Sequence, residues 1–449
     1  MAFQLKDKKA FIVRLSDKKY RRTQAACLGL ALVIGSFCVW KTVEMGMLYN
    51  EESLRIPSLS TPKVVKQIKK EQSVLLNDPA IKKNWGLLGT GGLSDINVDK
   101  AWNITTGSRK VVVAIIDTGI DINHPDIKNN LWVNEAEKNG KTGIDDDQNG
   151  CIDDIHGCNF ITGTGNLTDN HGHGTHIAGI VGAEGGNGIG ISGVSPKVSL
   201  MILKYYDPKA PGTDNLKNTI KSIHYAVDKK VDIINYSGGG LDYSQTEYDA
   251  VKRANDAGII FVAAAGNEKS NSDKAHYYPA NYNLPNIISV TAINADANVL
   301  QSSNYGMKTV HIAAPGEGIY STLPGSRYGT MTGTSQATAF VSGVAALLKA
   351  NNSDMDFKQI KNQILATADT RATMFTKTQT SGILNSWAAL AIHPAVPVSG
   401  IAAPTSNQIL SNTTAVVDNN NRNPALSQQL NQLNQLLNTI ADKNEKTLN

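Results

Sequence analysis

Hydrophobic positions along this chain fall into two kinds of run. Short, continuous runs rich in β-branched residues read as strands buried on both faces: Val111–Ile116 with Asp117 at its end, Val198–Lys204, Asp232–Tyr236, Ile259–Ala264 and Asn286–Thr291. Asp214–Lys229 and Tyr243–Ala257 read as helices between them, and a small-residue helix opens within Asn170–Gly179. Alternating units of this length predict an α/β domain whose mostly parallel central sheet carries helices on both faces. A different run, Ala25–Trp40, is apolar and uncharged and is closed by Lys41. As a helix it would extend about 24 Å, enough to span a bilayer if Arg22 and Lys41 snorkel.

The net charge of +4 is unevenly placed. Residues 1–22 hold eight basic side chains against two acidic ones, so the remainder is net acidic and offers no basic surface for nucleic acid. The charge order predicts a cytoplasmic N-terminus (1–22), a signal-anchor or transmembrane helix (23–43), and the bulk of the chain outside the cytoplasm at the cell membrane. A cleaved signal and a secreted or periplasmic protein is the competing expectation. Residues 44–83 read as a charged, Lys-rich connector. At 41% hydrophobic and 18% charged overall, the chain can bury a sizeable core. Past residue 392 comes a polar linker, then Leu426, Leu430, Leu433, Leu437 and Ile440 at heptad-like spacing. That stripe suits weak self-association or an unstructured tail. Cys151 and Cys158 lie seven apart in a polar loop, as a disulfide or as two free thiols.

Three stretches carry candidate chemistry. Asp117 ends a buried strand, where catalytic groups collect in parallel sheets. His173 lies in the cluster His171-Gly172-His173-Gly174-Thr175-His176. Ser335 follows Gly333-Thr334 and opens a long apolar helix. A nucleophilic serine needs a base and a carboxylate to orient that base, and all three types occur, in the order Asp, His, Ser. His171 and His176 are rival bases, and Asp121 and Asp126 are rival carboxylates. A further stretch, Asp145-Asp146-Asp147-Gln148-Asn149-Gly150, places oxygen ligands at alternate positions with glycine sixth, as a calcium loop requires. His156 stands where the last bidentate ligand belongs, so Asp153 or Asp154 would supply it.

These residues resemble the subtilisin-like serine proteases over about Asn84 to Asn385. The resemblance rests on Ile115-Ile116-Asp117-Thr118-Gly119 with His124-Pro125-Asp126, on His173-Gly174-Thr175-His176, on Ala263-Ala264-Ala265-Gly266-Asn267 and on Gly333-Thr334-Ser335. It implies a three-layer subtilisin-like catalytic domain (84–392) and a serine endopeptidase acting on polypeptides. In that scheme Ser335 is nucleophile, His173 base, Asp117 its orienter and Asn267 the oxyanion ligand. Ser237, Gly238 and Gly239 match the substrate-binding segment, with Gly238 where a leucine is usual. Asp126 and Asn187 match a structural Ca2+ site, beside the loop ligands Asp145, Asp147, Asn149, Asp153 and Asp154. A catalytically silent binding or scaffold protein on the same fold is the alternative.

Overall fold

In a computed structural model of the chain, residues 77–89, 94–209 and 214–392 are described. The basic segment 1–22, the apolar segment 23–43, most of the connector and the tail 393–449 lie outside these residues. Among the described residues no helix is long and apolar enough to cross a membrane.

The strands are β1 (Gly107–Asp117), β2 (Lys197–Lys204), β3 (Ile233–Tyr236), β4 (Ile260–Ala264), β5 (Ile287–Ile293), β6 (Ile312–Pro315), β7 (Ile319–Leu323), β8 (Arg327–Met331), β9 (Asp369–Thr370) and β10 (Gly382–Ile383). Eight of them form one sheet in the order β2-β1-β3-β4-β5-β6-β10-β9. Its pairs are parallel except β9 with β10, and β7 and β8 make a separate antiparallel hairpin. The longer helices are α1 (His173–Gly182), α2 (Asn215–Asp228), α3 (Gln245–Asp256), α4 (Thr334–Asn351) and α5 (Phe357–Ala366).

The unbroken apolar run of β1 is explained by the sheet's two covered faces. Val113 and Ile115 join one core with residues of α1, α4 and α5, while Ala114 and Ile116 join another with residues of α2 and α3. Side chains alternate across a strand, so a strand covered on both sides must be apolar at every position. Each fully buried isoleucine or phenylalanine in these layers contributes about 1.5–3 kcal/mol. The predicted helices begin where polar side chains cap them: Asp214 accepts from Lys217 N at 3.1 Å and Ser244 from Glu247 N at 3.3 Å. The expected three-layer α/β architecture is thus present.

Two features differ from the sequence expectation. The domain starts before Asn84: Ile81 is in the core and the buried Asp78 accepts from Gly186 N, Gly188 N and Ser192 Oγ. The hairpin β7–β8, half polar in composition, carries no apolar run to predict it, yet it packs on α1: Ser321 Oγ and Thr322 Oγ1 donate to the carbonyls of His176 and Thr175.

Candidate active site

Asp117 closes β1 in register with Lys204 of β2, at the carboxyl edge of the parallel sheet. Its Oδ1 accepts from Thr118 N at 2.7 Å and contacts His173 Nδ1 at 2.7 Å. The latter bond fixes Nδ1 as the protonated nitrogen and leaves Nε2 as the acceptor. Burial opposes the imidazolium, but the Asp117 charge and hydrogen bond outweigh it, with help from Asp169, and His173 is held above the ordinary histidine value. The rival histidines are placed elsewhere. His171 is exposed, and His176 is buried with Nε2 on the Ile319 carbonyl at 2.9 Å. Burial first, then the nearby His173 charge, lowers His176 to about 4. Of the rival carboxylates, Asp121 accepts from Asn123 N and Gly325 N, and Asp126 belongs to the loop described below.

Gly174 lets α1 approach β1 this closely. A Cβ there would lie 2.2 Å from the Gly119 carbonyl oxygen and 3.2 Å from Asp117 Cβ.

The first turn of α1 is held by a residue that the sequence motifs did not single out. The buried Asp169 accepts through Oδ1 from Thr118 Oγ1 (2.9 Å), His171 N (3.1 Å) and Gly172 N (2.7 Å), and through Oδ2 from Thr175 N (2.9 Å) and Thr175 Oγ1 (2.7 Å). Thr118 Oγ1 in turn accepts from Gly174 N at 2.9 Å. One carboxylate thereby ties the residue after Asp117 to both neighbours of His173. Burial pushes its pKa up, but the bonds from Thr175, Gly172 and Thr118 overcome that and hold it below the usual carboxylate range. An aspartate just ahead of a helix is a capping signal, hidden here beside a histidine cluster.

Ser335 lies in the first turn of α4, where backbone N–H groups have no intrahelical acceptor. Its Oγ donates to the Ser237 carbonyl at 3.0 Å, and Ser237 Oγ donates to the Ser335 carbonyl at 3.2 Å. The hydroxyl is therefore parked on the Ser237–Gly239 segment and must turn from it to reach an imidazole. Asn267 is exposed, and its Oδ1 accepts from Thr334 N (3.0 Å) and Thr334 Oγ1 (3.2 Å). With Oδ1 so used, the amide Nδ2 is the end free to donate. Gln336, Ala339 and Phe340 are buried behind Ser335, where they pack.

A disulfide between Cys151 and Cys158 staples the end of the acidic loop. Its carboxylates divide in two. Asp145 accepts from Asn149 N and Gly150 N, and Asp153 from Gly143 N, so both serve their own loop. Asp147 and Asp154 instead converge with Glu137, a buried residue outside the predicted loop, with one oxygen from each within 4.8 Å of the others. Asn149 Nδ2 donates to Asp154 at 2.8 Å, and Asn134 Nδ2 donates to Asp147 at 3.0 Å and Asp154 at 2.8 Å. Asp147 Oδ1 is buried without a hydrogen-bond partner, while Oδ2 pairs with the Lys229 ammonium. Burial, against bonds from Tyr225, Asn149 and Asn134, holds the Asp154 carboxyl above its usual range. Three carboxylates with an orphaned oxygen fit a hard cation, with Lys229 as its competitor.

Asp126 and Asn187 also meet: Asn187 Nδ2 donates to Asp126 Oδ1 at 2.9 Å, and Ile191 N and Tyr328 Oη reach Oδ2. The amide's donor end faces the carboxylate, and Asn187 Oδ1 accepts from Ile189 N. In this arrangement the loop is held by hydrogen bonds.

Residues 108–387 match the sequence profile of the Subtilase family. The chain is 37% identical over 304 residues to subtilisin-like protease 1 of Plasmodium berghei (strain Anka), covering 64% of this chain and 50% of that protein. It is 37% identical over 264 residues to subtilisin-like protease 2 of Plasmodium falciparum (isolate 3D7), covering 58% of this chain and 18% of that one. Against the major intracellular serine protease of Bacillus subtilis (strain 168) it is 38% identical over 261 residues, 58% of this chain and 74% of the relative. The chain thus spans half or less of the Plasmodium relatives' length. With the profile covering well over half the chain and the sheet edge assembled as described, this chain belongs to the subtilase family.

Proposed function

We propose that the chain is a serine endopeptidase that hydrolyses peptide bonds of polypeptide substrates through Asp117, His173 and Ser335, with Asn267 as oxyanion ligand. The observation that carries this reading is the 2.7 Å bond from His173 Nδ1 to Asp117 at the sheet edge. It leaves Nε2 basic. Ser335 Oγ, released from the Ser237 carbonyl, attacks the scissile carbonyl carbon as its proton passes to His173 Nε2. Asn267 Nδ2 and the Ser335 N–H donate to the resulting oxyanion. The intermediate collapses as His173 gives its proton to the leaving amine. Water, deprotonated by the same nitrogen, then cleaves the acyl–Ser335 ester. Asp117 keeps its charge throughout and stabilises the imidazolium.

Structural calcium is part of the same reading. Glu137, Asp147 and Asp154 would hold it, with Asp126 and Asn187 as a second candidate pair whose amide would have to turn. Bound there, Ca2+ would supply charge that rigidifies the loop and takes no part in catalysis. Export with anchorage through residues 23–43 is also proposed. The Cys151–Cys158 disulfide supports an oxidising compartment, and carbonate extraction of membranes tests the anchor.

The function is tested by fluorophosphonate labelling and by turnover of a fluorogenic peptide library, wild type beside Ser335→Ala. Labelling and turnover that vanish in the variant are expected. A folded wild type that neither labels nor cleaves would refute the proposal and favour a silent scaffold.

A further inference from the structure

Gly238 has no side chain, and a Cβ built there would lie 2.5 Å from the Tyr205 hydroxyl. The volume that a side chain at 238 would take is filled from the opposite direction by Tyr205, whose ring meets Tyr236 edge-on at 5.6 Å. Beside this exchange lies a cavity of about 330 Å³, walled by Tyr205, Tyr236, Gly239, Gly240 and Tyr278. It adjoins the segment on which Ser335 rests.

The cavity's chemistry is one-sided. Glu247 lines it at 4% exposure; its Oε2 accepts from Tyr282 Oη at 2.8 Å, and its other oxygen makes no hydrogen bond among the described residues. Asn215 Oδ1, also in the lining, is buried without a partner. Asp242 adds a second carboxylate, and no described lining residue is a cation. A buried acceptor without a donor, as Asn215 Oδ1 is, is costly until a donor arrives, and Glu247 keeps one oxygen free to accept as well. Lysine and arginine side chains bring donors and no acceptor, and a guanidinium also stacks on tyrosine rings.

Resting on the endopeptidase reading, we infer that this cavity is a specificity pocket for a basic side chain of the polypeptide substrate, with Glu247 as its partner. An extended peptide paired along Ser237–Gly240 places its scissile bond by Ser237. Gly239 and Gly240 are then about 7–10 Å further along, at roughly 3.3 Å per residue. The bound side chain accordingly belongs to a residue two to four positions from the cleaved bond.

The test uses the full chain and a peptide library varied at five positions on each side of the bond, with products read by mass spectrometry. Arginine or lysine should be enriched at one position two to four residues away, by about tenfold or more over alanine in kcat/KM, as a charge-assisted bond implies. Glu247→Gln should shrink that ratio to about twofold. Asn215→Lys, which puts a cation into the cavity, should remove the preference by a second route. Fluorophosphonate labelling of Ser335 and the melting temperature verify that each variant is folded and active. Cleavage without basic enrichment, enrichment for aliphatic or aromatic residues there, or a basic preference that survives both folded variants would overturn the inference and leave the endopeptidase reading intact. Absence of both turnover and labelling would remove the two together.

Discussion

Replacing Asp169 by asparagine tests whether His173 is placed by a buried carboxylate as well as by Asp117. Asp169 accepts five hydrogen bonds, three from backbone N–H groups. An asparagine keeps one acceptor oxygen, and its NH2 end must face at least one of those N–H groups. Losing a charged acceptor costs about 1.5–3 kcal/mol and stranding a buried donor about 1–3 kcal/mol, so unfolding free energy should fall by about 3–5 kcal/mol. Asp169 is held below its usual range, so its stabilisation is complete above the unfolded aspartate pKa of about 4 and is lost as pH falls through the lower folded value. Denaturation at pH 7 therefore reads the full effect. The kinetic consequence is separate. His173 acts as base only when neutral, so activity falls as pH drops through its raised pKa. Asp169 adds to that elevation, and its loss should move the acid limb of kcat/KM to lower pH. A looser first turn of α1 should also reduce kcat by about tenfold to a hundredfold. A destabilisation below about 0.5 kcal/mol, or an acid limb that stays put or moves up, would refute this account.

Asn267→Ala should lower kcat by about 10²–10³ with little change in KM, the size measured for a subtilisin's own oxyanion asparagine; steady-state kinetics decide it. Gly174→Ala should abolish activity and lower the melting temperature, since its Cβ would meet the Gly119 carbonyl at 2.2 Å and only backbone movement relieves that. Lys229→Met removes the ammonium paired with Asp147, so calcorimetric titration should show tighter Ca2+ binding and the calcium-free protein should melt lower than wild type. Equal affinity in the two proteins would place calcium elsewhere. Cys151→Ser opens a short loop and should cost about 2–3 kcal/mol, measured by chemical denaturation.

The sheet, its helix order and the placing of Asp117, His173 and Ser335 at the ends of their elements were legible because each is written locally: a β-branched run ending in a carboxylate, a glycine-flanked histidine, a serine at a helix start; Asn267 was indicated by the family resemblance alone. What stayed hidden depends on residues far apart in sequence. Glu137 joins Asp147 and Asp154 only because the chain folds back over the acidic loop, and the loop's regular spacing gave equal weight to Asp145 and Asp153, whose oxygens serve backbone N–H groups. Gly238 read simply as a missing leucine; that Tyr205 fills the space needed the sheet to bring the two together. Asp169 combined a weak capping signal with stronger neighbours, which drew the reading to the histidines.

Asp78 sets a limit on how far the front of this protein can be trimmed. Its carboxylate supplies acceptors for Gly186 N, Gly188 N and Ser192 Oγ. A cut that leaves residue 77 in place keeps this tether, and one that starts the chain at Asn84 removes that carboxylate and takes Ile81 from the core. A maturation step that frees the domain from its leading segment therefore keeps these contacts only if it cleaves ahead of Asp78.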